Sequence, residues 1–149
     1  MNLFQSLERN ARNNSQKTAI MFNESIYNYS EYNEQVNQIA NALISYGVKK
    51  GDKIAIMMKN SDTFAFVYYG ILKAGAVAVP VNFRLTAHET RYILDNSDSI
   101  IVFADEDYAE TIAKAAEGNE KLQLQVIVGE NKLDHQKLLS EFRSSNSSN

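Results

Sequence analysis

The sequence predicts an α/β fold of three layers, α/β/α, around a mainly parallel sheet built from βα units and preceded by an N-terminal helix and β-hairpin. Three observations carry that expectation. The apolar runs KIAIMM, AVAVPV, SIIVFA and LQLQVIV begin near residues 53, 76, 99 and 122. Each interval is a little over twenty residues and holds one helix-like segment, the repeat expected of right-handed βαβ units. The first three runs are almost wholly apolar, as strands covered on both faces should be.

The elements follow in order from local pattern. Leu3, Phe4, Leu7 and Ala11 share one helical face, and Asn13, Asn14 and Ser15 stop that helix. TAIMF and SIYNY, separated by Asn23 and Glu24, read as a hairpin. Ser30 is a suitable N-cap for a helix whose stripe is Val36, Ile39, Ala40, Leu43 and Ile44, with Gly47 as its left-handed end. Asn60 and Ser61 can cap a segment from Asp62 to Ala74, apolar nearly all round and closed by Gly75. Thr86 and Glu89 have the spacing of a reciprocal capping box. Asp105 or Asp107 can open the next helix, which Gly118 ends, and Asp134 can cap a last short one with Leu138, Leu139 and Phe142. The tail RSSNSSN has no apolar residue and is expected to be disordered from 144 to 149.

Composition excludes several classes. The 149 residues are 44% hydrophobic and 22% charged, which fits one globular domain and excludes collagen, coiled coil and global disorder. Without cysteine there is no disulfide framework, thiolate nucleophile or Cys-ligated zinc. A net charge of −3 argues against nucleic acid as a partner. The start of the chain lacks the basic and apolar regions of a signal peptide, and no run is long enough to span a membrane. A cytoplasmic protein is expected.

A self-contained active site is not legible. No G-x-G-x-x-G follows a strand, and no G-x-x-x-x-G-K-[ST] occurs. His88-Glu89 opens like a zinc-protease pair, but the fourth residue on is Tyr92, so His88 reads as solvated. Asp105, Glu106 and Asp107 end the third regular strand, where ligands of parallel sheets bind; helix-start acids are the simpler reading, and a metal the alternative. Tyr27, Tyr29 and Tyr32 lack the basic neighbours of a base-stacking surface and read as packing. Neither catalytic residues nor metal ligands are expected.

The run from Gly47 to Glu89, GVKKGDKIAIMMKNSDTFAFVYYGILKAGAVAVPVNFRLTAHE, resembles the N-terminal part of the adenylate-forming acyl-CoA synthetases, the AMP-binding superfamily that includes fatty-acid–CoA ligases. Its members carry G-V-x-x-G-D-x-V, then L-K-A-G-A-x-x-V-P-x-N. YNYSEYN from Tyr27 is similar to the family's L-T-Y-x-E-L, and YILDNSDSIIVFAD from Tyr92 to its Y-x-L-x-D-S pattern. The likeness covers about residues 2 to 130. Most matched positions build turns. Pro80, the single proline, falls near a strand end where a missing amide is tolerated, and Asn82 suits a turn.

The resemblance implies ATP, Mg²⁺, CoA and a carboxylic acid as cofactors and substrates of the intact enzyme, which makes an acyl-adenylate and then a thioester. Arg84, in NFRLT, implies a contact with the 3′-phosphoADP end of CoA; pairing with Glu89 or solvent is the alternative. The N-F-R-L loop is closer to fatty-acyl ligases than to peptide-synthetase adenylation domains. The family's phosphate loop, Tyr-Gly-x-Thr-Glu motif, ribose-binding Asp and catalytic Lys do not occur here; Tyr69-Gly70 is followed by Ile71-Leu72. Residues 1–143 therefore read as an incomplete N-terminal subdomain, a truncated domain binding none of these cofactors by itself and inactive alone. A surface uncovered by truncation would favour homo-oligomers. A non-catalytic α/β binding or assembly module is the competing reading. Acyl preference is set by residues this chain does not carry.

Overall fold

The computed structural model describes residues 18–22 and 25–144, with side chains from Asn28 onward. The helix expected around Leu3–Ala11, the Asn23–Glu24 turn and residues 145–149 of the expected tail lie outside the described residues; Ser144, placed in that tail, is the last residue of the final helix. Strands β1 (Thr18–Phe22) and β2 (Ser25–Asn28) pair antiparallel, Phe22 opposite Ser25, as the hairpin reading expected.

Helix α1 (Tyr29–Tyr46) starts earlier than Ser30 suggests. Asn28 is its N-cap: the Asn28 side chain accepts from the Glu31 amide at 2.8 Å, and the Glu31 carboxylate accepts from the Asn28 amide at 3.4 Å. Ser30 has no acid three residues on, whereas Asn28 does, so the reciprocal box forms there. Val36, Ile39, Ala40 and Leu43 are buried as expected; Ile44 is not, being 54% exposed. Gly47 ends the helix at φ +114, a left-handed conformation that glycine adopts without Cβ strain, and its amide donates to the Ile44 carbonyl.

Five strands then form one all-parallel sheet in the order β4-β3-β5-β6-β7. They are β3 (Lys53–Met57), β4 (Val77–Pro80), β5 (Ile101–Asp105), β6 (Leu124–Val128) and β7 (Lys137–Leu138). Pro80 closes β4, an edge strand. Between them run α2 (Asp62–Lys73), α3 (Ala87–Ser97) and α4 (Ala109–Ala116), and α5 (Leu139–Ser144) follows β7. Ser61 caps α2, accepting from the Phe64 amide at 3.0 Å. Thr86 and Glu89 form the expected capping box on α3, at 3.2 and 3.0 Å.

Strand alternation splits the core into two layers. Ile54, Ile56, Ile101, Phe103 and Val126 face α1, α2 and α5, against Val36, Ile39, Leu43, Val67, Ile71 and Phe142. Ala55, Met57, Val102, Ala104 and Ile127 face α3 and α4, against Leu94, Ile112 and Ala115. The three-layer α/β/α expectation therefore holds.

Two further expectations at helix starts fail. Strand β5 runs through Asp105, which pairs with Val128, and a 3-10 turn, Glu106–Tyr108, precedes α4; neither Asp105 nor Asp107 caps that helix. Nor does Asp134 open the last helix. Residues 137 and 138 instead add the fifth strand beside Val126 and Ile127. Buried Gln136 anchors this segment, donating to the Ala109 carbonyl at 2.9 Å and to the Gln125 side chain at 2.8 Å.

Candidate functional site

Connections in the sheet leave in opposite directions from its middle. From β3 the chain passes through α2 on one face to β4; from β5 it passes through α4 on the other face to β6. The carboxyl ends of β3 and β5 thus flank a topological switch point, where open parallel sheets bind ligands. Four loops meet at this edge: Met58–Ser61 after β3, Val81–Thr86 after β4, the Glu106–Tyr108 turn after β5, and 129–131 after β6.

The turn after β5 ties the others together. The Asp105 carboxylate accepts from the Lys59 amide at 2.8 Å. Partial burial, with Asp107 nearby, pushes the Asp105 carboxyl above its usual range, although the Lys59 hydrogen bond opposes the shift. The Glu106 carboxylate accepts from the Asn131 amide at 2.9 Å, the Glu130 amide at 3.1 Å and the Asn131 side chain at 3.1 Å. Those donors favour the anion and hold the Glu106 carboxyl below its usual range. A Cβ on Gly129, whose φ is +142, would stand 2.6 Å from the Glu106 carboxyl carbon, so glycine is what lets the carboxylate reach those amides. Asp107 lies 3.7 Å from the Lys59 ammonium, both exposed, a pair worth about 0–1 kcal/mol.

Two of the three consecutive acids therefore turn to Lys59, Asp105 to its amide and Asp107 to its ammonium, while Glu106 turns to the loop after β6. Among the described residues no cluster of three or more His, Asp or Glu side chains is placed to hold a metal ion. His88 is exposed at the start of α3. Tyr32 is core, its ring edge-on to Phe66 at 5.2 Å and to Tyr69 at 6.2 Å, and burial pushes its hydroxyl pKa upward.

Arg84 stands exposed in the loop after β4. The Asn82 side chain accepts from the Arg84 amide at 2.9 Å, fixing the turn as the sequence suggested. The Arg84 guanidinium carbon lies 5.1 Å from the centre of the Phe83 ring, and that ring stacks on Tyr108 at 5.7 Å and 25°. The Glu89 carboxylate turns to the Thr86 amide, which holds its carboxyl below the usual range. What the edge offers chemically is one exposed planar cation on an aromatic support, suited to an anionic ligand. The Phe83–Tyr108 stack and the Glu106 anchor were not foreseen. Gly129-Glu130-Asn131 directly after an apolar strand was the available signal for the second.

A family model described as "AMP-binding enzyme" matches residues 7–149. The 4-hydroxybutyrate–CoA ligase 2 of Metallosphaera sedula is 37% identical over 106 residues, 71% of this chain and 19% of that protein. The structure of an anthranilate CoA ligase in complex with anthranoyl-AMP superposes with a TM-score of 0.90 at 24% identity, covering 96% of this chain and 28% of that one. A Mycobacterium tuberculosis fatty acyl CoA synthetase superposes at 0.84 with 28% identity, covering 97% of this chain and 28% of that one. The chain spans about a fifth of the length of the first relative. Among the described residues no helix is long and apolar enough to cross a membrane.

Proposed function

The chain belongs to the AMP-binding enzyme family, and we propose that it is the N-terminal α/β unit of an ATP-dependent acid–CoA ligase of fatty-acyl type. In that reaction the substrate carboxylate attacks the α-phosphorus of ATP and expels pyrophosphate. The CoA thiol then attacks the acyl-adenylate carbonyl, forming the thioester and releasing AMP. The observation that carries the reading is the 37% identity, over most of the chain, to a protein named as a CoA ligase. The N-F-R-L loop supports the fatty-acyl preference and a cytoplasmic location is part of the same proposal. The competing binding-module reading predicts no reaction in any context.

The 149 residues contain no phosphate loop, no Tyr-Gly-x-Thr-Glu motif and no candidate catalytic lysine after a mobile hinge. The isolated chain is therefore expected to give no ATP–pyrophosphate exchange with any fatty acid, while a ligase polypeptide that includes it exchanges and forms acyl-CoA. Exchange by the isolated chain would reject its dependence on the rest of the ligase. Absence of thioester formation by the longer polypeptide across short, medium and long acids would reject the fatty-acyl reading.

Within this proposal Arg84 contacts the phosphates at the 3′-phosphoADP end of CoA. Its support is position: an exposed guanidinium past the carboxyl end of a parallel strand, with its turn fixed by Asn82. A charge-assisted contact is worth about 1.5–3 kcal/mol, so Arg84→Ala in the ligase should raise the KM for CoA by roughly ten- to a hundredfold. Steady-state kinetics with CoA as the varied substrate checks this. A KM within twofold of the parent removes Arg84 from the CoA site.

A further inference from the structure

We propose that Tyr108 is a positioning residue for Arg84, an inference that rests on the CoA reading of Arg84. Strands β4 and β5 flank β3, so the loop after β4 and the turn after β5 face each other across the end of β3. Tyr108 reaches across that gap and stacks on Phe83 at 5.7 Å and 25°. Phe83 in turn carries the Arg84 guanidinium at 5.1 Å. Phe83 and Tyr108 are half-buried and also pack on the side of the core that holds Val102, Ala104 and Ile112.

The Tyr108 end is fixed independently. Two residues before it, Glu106 is held by the Glu130 and Asn131 amides, and Asp105 is held by the Lys59 amide. The turn that presents Tyr108 is thereby tied to the loops after β3 and β6 while its ring supports the loop after β4. An exposed arginine is otherwise free to sample many rotamers, and ordering it on binding costs affinity. A guanidinium already lying over a braced ring is partly ordered before the phosphate arrives. The ring, not the hydroxyl, supplies this support, because stacking and cation–π attraction act through the aromatic face.

The test uses the ligase polypeptide that includes this chain, with CoA as the varied substrate. Tyr108→Leu should raise the KM for CoA about three- to fivefold with kcat held within about twofold, and Tyr108→Phe should stay within about twofold of the parent in both. On an Arg84→Ala background, Tyr108→Leu should add nothing further, since the group it positions is gone. If Arg84→Ala raises the KM but Tyr108→Leu does not, the positioning role is overturned and the Arg84 reading stands. If Tyr108→Leu raises the KM equally with and without Arg84, it acts by another route, and the role is again overturned. If Arg84→Ala itself leaves the KM unchanged, both fall. A Tyr108→Leu protein that loses kcat and KM together, with Tyr108→Phe doing the same, marks a structural residue and also overturns the proposal.

Discussion

Phe103→Ala is expected to destabilise the fold by about 3–5 kcal/mol, a large share of the roughly 5–15 kcal/mol typical of a domain this size. Phe103 is fully buried on β5, the middle strand of the five. Its ring lies on the sheet face shared with Ile54, Ile56 and Val126, edge-on to Phe142 at 6.0 Å and 74°. Truncation removes the transfer free energy of the ring, leaves a cavity, and forfeits an aromatic pair worth about 0.5–1.5 kcal/mol. Strands paired on both sides of β5 restrain its backbone from moving in to fill the hole. In urea, with a slope of about 2 kcal/mol per molar, the midpoint should fall by about 2 M at unchanged slope. A fall below about 0.5 M would mean that α5, which carries Phe142, closes onto the sheet.

Phe103 was legible as core from sequence because SIIVFA is apolar at every position but its first, and such a run fits a strand covered on both faces. The same reasoning reached β3; it placed β4 as a strand but not its exposure, since β4 is an edge strand with Val77 45% exposed. The Thr86–Glu89 box was readable because its spacing is fixed by one helical turn. Competition between local signals hid others. Ser30 and Asn28 are both good caps, and the decision rests on Glu31 lying three residues after Asn28. Asp105 resembles a cap, yet tertiary pairing with β6 keeps it extended and sends its carboxylate to Lys59. Strand β7 has two residues, too few for any period, and depends on the buried bonds of Gln136. At the candidate site, the position of Arg84 past a strand end was legible. Its support was not: Phe83 and Tyr108 meet across the end of β3, from the loops after β4 and β5, and strand order leaves no trace in hydrophobic periodicity.

Gly70→Ala offers a sharper test, because two effects oppose each other. In a helix interior alanine is favoured over glycine by about 1 kcal/mol, so an exposed Gly70 would be stabilised by the change. Gly70 is instead buried on α2, where an added Cβ would stand 2.6 Å from Ile39 Cγ2, 2.8 Å from Ile39 Cβ and 3.3 Å from the Val36 carbonyl oxygen of α1. Ile39 is fully buried, and a β-branched side chain in a helix has one strongly preferred rotamer, so it cannot swing aside. The atoms in conflict include Cβ itself, which moves only with the backbone. Relief therefore requires α1 and α2 to part, and overpacking of this kind costs about 1–3 kcal/mol. We expect overpacking to win, with a net loss of up to about 2 kcal/mol and a thermal midpoint lower by up to several degrees. Gly70→Ala combined with Ile39→Ala should lose less than the sum of the two single changes, because the second substitution removes the clashing Cγ2. A Gly70→Ala protein more stable than the parent would show that the α1–α2 contact yields. The consequence reaches the carboxyl edge of the sheet: α2 begins at Asp62, three residues after Lys59, whose amide holds Asp105 and through it the turn bearing Tyr108. A helix pair forced apart at Gly70 should loosen that chain of contacts as well as the core, so amide exchange at Lys59 should quicken along with exchange in α2.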